Sequence, residues 1–427
     1  MRAPYPHEFT SVQDRIRLIG FRFAFSYLVL YTFAFPFYYI PFSSYILEPI
    51  HALYIYLTDS MGSILFKGSY SVLNPETGSG DTSFKYAQAV MFLTLAFVAT
   101  VAWSIIDRHR SGYPKLSVVL TTLVRYYLAA ALIGYGVIKI FPLQFSVLPA
   151  IALNRTYGES SPMGLLWTFM GASRLYTAFT GAGELLAGVL LLFRITRLIG
   201  ATLSTFIFLH VFVLNLSYDV PVKLLSFHLL LMSAFLTAPL MKKTANLFAT
   251  EEPPLSEVLL PKWSSKRTRW LIITLKCMLI VLILVLPALN AFERNMELIQ
   301  EAKSSSKPSI YGVYTISNFM RNNETTRDTG PSGWKEIKLN ANVMEIVYSD
   351  GVTIQWLSAM RSKKLRLASK DLAAFGEFDC VWQGETLLLT GKLNQDSLKI
   401  QARQIAPYTA PLLSRGFHWI NEDPFNH

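Results

Sequence analysis

The densest run of side chains able to do chemistry is Asn215-Leu-Ser-Tyr-Asp-Val-Pro-Val-Lys223, a short connection between two apolar runs. Pro221 suits the first turn of a helix, and Asp219 just before it is placed to accept orphan amide hydrogens and to favour the helix dipole. Capping therefore accounts for Asp219. It does not account for Lys223, whose charge in the first turn opposes the dipole and calls for Asp219 as a partner or for an anionic or carbonyl ligand. His228, deeper in the same run, adds a group that exchanges protons near neutral pH. Asp219, Lys223 and His228 are the candidate catalytic residues, and Asn215 and Tyr218 the ligand contacts beside them. Lys139 or His228 is expected to complete one polar cluster with Asp219 and Lys223.

Ionisable groups inside a membrane are costly unless paired or wetted, so each asks for a partner. Arg125 lies nine residues in from Leu116 and Glu184 nine residues before Phe193, so both sit about 14 Å deep and are expected to meet. Such a pair either locks two helices or serves a function, and it is weak evidence for stability in both cases. His210 and His228 share a depth of about 18 Å on the next two runs and are expected to be neighbours. Two histidines without carboxylates make a poor metal site, so no metal is assigned. Lys139 ends its own run at the outer level, where snorkelling alone would account for it. With Arg125, Tyr126 and Tyr135 it outlines a polar interior, and Gly134, Gly136, Gly181, Gly183 and Gly188 allow helices to approach closely.

A third constellation lies in Ser414-Arg-Gly-Phe-His-Trp-Ile-Asn-Glu-Asp-Pro-Phe. Its aromatics would form a costly apolar patch if left exposed, so the segment is expected to be ordered. It either packs on the domain before it or forms a lid that brings Arg415, His418, Trp419, Asn421 and Glu422 toward the polar cluster.

The elements that must position these residues follow from hydropathy. Of 427 residues 52% are hydrophobic, and runs of roughly 20 apolar residues, the length of a ~30 Å hydrocarbon core, recur as far as residue 290. Clear runs are Phe84 to Ile106, Leu116 to Ile140, Leu175 to Phe193, Leu198 to Leu216, Val222 to Leu240 and Trp270 to Leu289. With an uncleaved anchor over about Ile19 to Tyr39, ended by Pro36 and Pro41, they make about seven spans in a helical domain over 1–292. Residues 43–66 carry Glu48, His51 and Asp59, which suits an interfacial or re-entrant helix. Lys and Arg fall mainly on one side of this arrangement, which is thereby read as cytoplasmic, with an odd number of spans placing the far domain outside. The net charge of +11 is spent on orienting helices, so no nucleic-acid partner is expected. Cys277 and Cys380 form no CxxC pair, and thiol-disulfide chemistry is not expected.

Residues 293–308 turn polar and serine-rich, as a linker or the frayed end of the last helix. From 309 to 427 the pattern changes to period two, plainest where Leu398, Ile400 and Ala402 alternate with Lys399, Gln401 and Arg403. Turns at Ser349-Asp350-Gly351 and Asn394-Gln395-Asp396 punctuate it. The expectation is an antiparallel meander of about seven or eight strands, closed as a small barrel or stacked as a sandwich.

Arg125-Tyr-Tyr-Leu, Gly134-Tyr-Gly-Val-Ile-Lys139-Ile-Phe, Ser161-Pro-Met-Gly-Leu-Leu-Trp-Thr-Phe-Met-Gly and Gly183-Glu184-Leu-Leu-Ala-Gly together resemble the DoxX-like family over about residues 116–240. Tyr218-Asp-Val-Pro-Val-Lys-Leu-Leu-Ser-Phe-His228 and Arg415-Gly-Phe-His-Trp-Ile-Asn-Glu resemble a longer bacterial branch with an appended soluble domain. The resemblance implies a compact four-helix core in a bacterial inner membrane, and the founding members belong to a thiosulfate:quinone oxidoreductase. A more distant likeness is to the membrane domain of vitamin K-dependent carboxylases; no catalytic residue is carried over from it. Fold kinship does not fix chemistry. The leading expectation is a membrane protein that binds a quinone- or lipid-like molecule among spans three to six, either as a redox-linked oxidoreductase or as an acid/base enzyme. Two alternatives are a solute or proton transporter lined by Arg125, Glu184 and the histidines, and a scaffold whose β-domain binds an envelope protein.

Overall fold

The computed structural model of the protein describes residues 12–37, 42–66, 78–145, 148, 150–153, 155–250, 266–304, 312–322, 324–325, 333–339, 343–361, 363–369, 373–383, 386–405 and 412. The chain divides into two compact units, 1–144 with 175–295, and 145–174 with 296–427. The terminal constellation at 414–425 lies outside the described residues.

The first unit is helical. Its elements are α1 (Val12–Tyr31), α2 (Ser44–Phe66), α3 (Ser83–Ile106), α4 (Pro114–Ile140), α7 (Arg174–Leu192), α8 (Arg197–Ser217), α9 (Lys223–Thr250) and α10 (Lys266–Ile280). The last continues through a π-helical turn at Val281–Val285 into α11 (Leu286–Ser304), so the polar stretch after residue 292 is helical as far as Ser304. Among the described residues five helical stretches are long and apolar enough to cross a membrane: Ser83–Ile106, Pro114–Ile140, Arg174–Leu192, Arg197–Ser217 and Ile273–Gln300. Lys223–Pro239 adds a shorter apolar stretch. The expected seven runs are these six and α1, which ends at Tyr31 rather than at Pro36. Residues 32–36 form turns, and the Leu28 carbonyl accepts both the amide of Thr32 at 3.0 Å and its hydroxyl at 2.7 Å. Phe97, Phe179 and Phe206 stand exposed on the spans, as side chains that face lipid must. Residues 44–66 form one 23-residue helix packed on α3.

Local chemistry sets the helix ends. Thr82 accepts the Lys85 amide at the start of α3, and Pro114 occupies the first turn of α4, where its missing N–H costs nothing. The core of the unit runs along α4, where Leu120, Val124, Leu128, Leu132 and Ile133 are fully buried against α1, α9 and the π turn.

The second unit holds α5 (Ala150–Leu153), α6 (Pro162–Ala172) and nine strands, β1 (Gly312–Arg321), β2 (Glu324–Thr325), β3 (Trp334–Leu339), β4 (Val343–Tyr348), β5 (Thr353–Arg361), β6 (Lys364–Ala368), β7 (Phe375–Gln383), β8 (Thr386–Leu393) and β9 (Asp396–Gln404). Every neighbour pairing is antiparallel, and β1 pairs with β9 from Tyr314↔Gln404 to Arg321↔Leu398, closing eight strands into a barrel. Closure removes the free edges that would otherwise template aggregation. Leu398, Ile400 and Ala402 point inward with Tyr314, Trp334 and Phe378, as the period-two pattern requires. Both expected turns are present, with Gly351 at φ +86° and Asn394 at φ +55°, conformations that glycine and asparagine tolerate best. Arg155, in the segment before α6, reaches Glu345 on β4 at 3.1 Å. This ties residues 145–174 to the barrel, a partition that a count of apolar runs does not reveal.

Candidate functional site

Glycine sets the register between α4 and α7. A Cβ on Gly136 would lie 2.7 Å from the Gly181 carbonyl, and one on Gly188 would lie 3.1 Å from the Ala129 carbonyl, so the two backbones touch along this seam. The helices run antiparallel, and the seam brings Lys139 to Glu184. Their ammonium and carboxylate form a direct, charge-assisted hydrogen bond through Glu184 Oε1, with the side chains only 10% and 6% exposed. The expected partner, Arg125, is elsewhere. Ala129 meets Gly188, so Arg125 four residues earlier falls level with Leu192, eight residues and about 12 Å from the level of Glu184. Counting depth from the ends of apolar runs assumed flush helices, whereas the glycine contacts slide α7 along α4. Arg125 is buried, lies over the Tyr126 ring at 4.9 Å, and sits in electrostatic range of Arg194 and Arg197. Its Nε finds no hydrogen-bond partner among the described residues.

Glu184 Oε2 is also buried, and no group among the described residues donates to it. Lys139 meanwhile has N–H groups beyond the one it gives to Oε1. Tyr135, one turn before Lys139, is within electrostatic range of Glu184, and Tyr31 is within range of Tyr135. A donor and an acceptor with no donor among the described residues thus stand side by side, with Tyr135 in electrostatic range. A hydroxyl, which both donates and accepts, matches that pair.

His228 belongs to a neighbouring aromatic group. Its ring stacks on Tyr31 at 4.3 Å between centroids, its Nδ1 faces the Leu224 carbonyl at 2.6 Å, and its Nε2 faces the Tyr27 hydroxyl at 2.5 Å. A carbonyl only accepts, so the network assigns the proton to Nδ1 and has Tyr27 donate to Nε2. His210 is exposed on α8, and the expected histidine pair does not form. Asn215 donates to Ser226 at 3.0 Å and Thr205 meets Thr237 at 3.0 Å, which fixes how α8 faces α9 and leaves His210 on the outer side.

Asp219 and Lys223 do pair, at 2.7 Å. The third member of their cluster is Asp81, with no contact to Lys139 or His228 recorded among the described residues: its carboxylate accepts the amides of Lys223 and Leu224 at 2.8 and 3.0 Å and lies 3.7 Å from the Lys223 ammonium. Asp81 therefore caps α9 in place of Asp219, which is 81% exposed at φ +49°. The reason is again backbone fit. Gly80 donates to the Pro221 carbonyl at 2.7 Å, docking the loop before α3 directly on the start of α9. Tyr218 ends α8, its amide bonded to the Leu214 carbonyl.

Sequence reasoning missed Asp81, Tyr27, Tyr31 and Arg22. Arg22 is buried in α1, where it donates to the Tyr113 hydroxyl at 3.0 Å, to Ser104 at 2.9 Å and to the Asp107 carbonyl at 2.9 Å. A charge inside the first apolar run and two tyrosines spaced four apart on one helical face were the signals for three of them. Asp81 carried none, because its partner amides lie more than a hundred residues away. Among the described residues no group of three or more potential metal ligands occurs.

No family model and no solved structure matches the chain. An uncharacterized protein of Bacillus subtilis (strain 168), YwoB, is 34% identical over 128 residues, which make up 30% of this chain and 80% of YwoB. With four fifths of that relative matched at this identity, the chain belongs to the YwoB family.

Proposed function

We propose that the protein binds a quinone- or lipid-like amphiphile inside its helical unit, with the polar end of the ligand at Lys139 and Glu184. The observation that carries this reading is Glu184 Oε2, a buried acceptor with no donor among the described residues, next to an ammonium with donors to spare. A quinol hydroxyl donates to Oε2 while its oxygen accepts from Lys139, and Tyr135 and Tyr31 offer ring surfaces. The resemblance to DoxX-like proteins supports the same class of ligand. Redox chemistry at the site is part of the proposal for a quinone and absent for a lipid. His228 and the Asp81–Lys223–Asp219 cluster hold helices together in this reading rather than react. A transport path lacks its motive, because Arg125 and Glu184 lie at different depths and His210 faces away. We further propose that the basic helix ends face the cytoplasm of a bacterial inner membrane and that the barrel lies outside it.

Mass spectrometry of the protein extracted in mild detergent tests the reading. A stoichiometric quinone or lipid in the wild type that is lost in Glu184→Gln is expected. Equal ligand in both, or none in either, contradicts it.

A further inference from the structure

We infer a second ligand site at the opposite end of α1, a basic groove that binds the phosphodiester headgroup of an anionic phospholipid. It is separate from Lys139 and Glu184 and does not depend on them. A cavity of about 410 Å³ is lined by Arg15, Leu18, Ile19 and Arg22 of α1, Ser104 of α3, and Arg108 and His109 just after α3. Among the described residues that line it, four of seven are basic and none is acidic. The carboxylates nearby are otherwise engaged: Asp14 pairs with Arg17, and Asp107 accepts the Tyr113 hydroxyl at 2.9 Å.

The groove has a built floor and an exposed rim. Arg22 is held from below by Tyr113, Ser104 and the Asp107 carbonyl, and the ring of Tyr113 is flanked by Phe21 and Trp103, so the floor is rigid and carries a buried positive charge. At the rim, Arg108 Nε donates to His109 Nε2 at 3.0 Å, which orients the guanidinium and leaves its terminal nitrogens for a ligand. Arg15 is exposed across the groove. Guanidinium forks match the paired oxygens of a phosphodiester. The partly exposed Leu18 and Ile19 continue the groove into the apolar surface of the spans, where Ile105 and Ile106 are also exposed. A free phosphate would use only the charged half of this site, whereas a phospholipid uses both halves.

The test uses the full chain in nanodiscs of phosphatidylcholine with and without phosphatidylglycerol, with native mass spectrometry reading which lipid stays bound. The wild type should retain phosphatidylglycerol at least about threefold over its share of the bilayer, and Arg15→Gln with Arg108→Gln should bring that ratio to about one. Arg194→Gln with Arg197→Gln removes the same charge at other helix ends and should leave the ratio unchanged; an equal fall there overturns the site as a general charge effect. Displacement of the lipid by inorganic phosphate overturns the phospholipid assignment in favour of a free anion. Because variants can misfold, a phosphatidylglycerol carrying a photoreactive acyl chain is crosslinked to the wild type as well. Adducts on residues 12–22 and 104–109 support the site, and adducts confined to other helices overturn it.

Discussion

Two side chains decide most of the chemistry at the scale of residues. Lys139 and Glu184 are ordinary in composition and unusual in place, because each is nearly sealed from water. Removing one partner leaves an uncompensated charge: Lys139→Met should cost about 3–5 kcal/mol of stability, measured as a loss of unfolding free energy in detergent. Glu184→Gln added to that variant should restore a large part of it. Cys380 offers a second, independent check in the barrel. It is 1% exposed, and burial pushes its thiol up to about 11. The protonated form is the one that the fold favours, so this contribution is present below the ordinary thiol range and is lost as pH rises through about 11. Alkylation of Cys380 in the folded protein should therefore be much slower than in the unfolded chain at pH 8, and the barrel should lose stability between about pH 9 and 11. Labelling with iodoacetamide followed by peptide mass spectrometry separates it from Cys277, which is exposed on α10.

Elements, not residues, determine which side chains meet. Four of the apolar runs read from the sequence match helices to within one or two residues, because hydropathy and helix length act on each run alone. The pairing of Lys139 with Glu184 was not legible in the same way. It depends on the sliding of α7 along α4, which is set by contacts between glycines that no depth count contains. The consequence is a contrast between two neighbouring glycines. Gly136→Ala would place a methyl 2.7 Å from the backbone of α7 and should destabilise the unit by about 1–3 kcal/mol. Gly134→Ala meets nothing within 4 Å and should be neutral or stabilising by up to about 1 kcal/mol. Thermal unfolding of both variants, side by side, reads the sign. At the start of α9, Asp81→Ala removes a side-chain cap from two amides and should cost about 0.5–2 kcal/mol, whereas Asp219→Ala should cost much less. Asp219 looked like the cap because it precedes the helix in sequence, but a cap needs only to precede it in space.

At the scale of the whole molecule the chain joins two solutions to one problem, how to satisfy backbone groups where water is scarce or edges are dangerous. The helical unit satisfies them within each span, and the β unit satisfies them by closing eight strands on themselves. Both were legible as periodicities, roughly 20 apolar residues per span and two residues per strand repeat. Closure of β1 on β9 and the membership of residues 145–174 in the barrel unit were not, since they rest on contacts between distant segments such as Arg155 with Glu345. The proposed role of the helical unit is to hold an amphiphile at Lys139 and Glu184. A structure of the protein taken directly from native membranes, at a resolution that shows side chains, tests it most directly. Elongated non-protein density with a polar atom about 3 Å from Glu184 Oε2 is the expected result. Density at Oε2 belonging to a protein group or to water alone would contradict it.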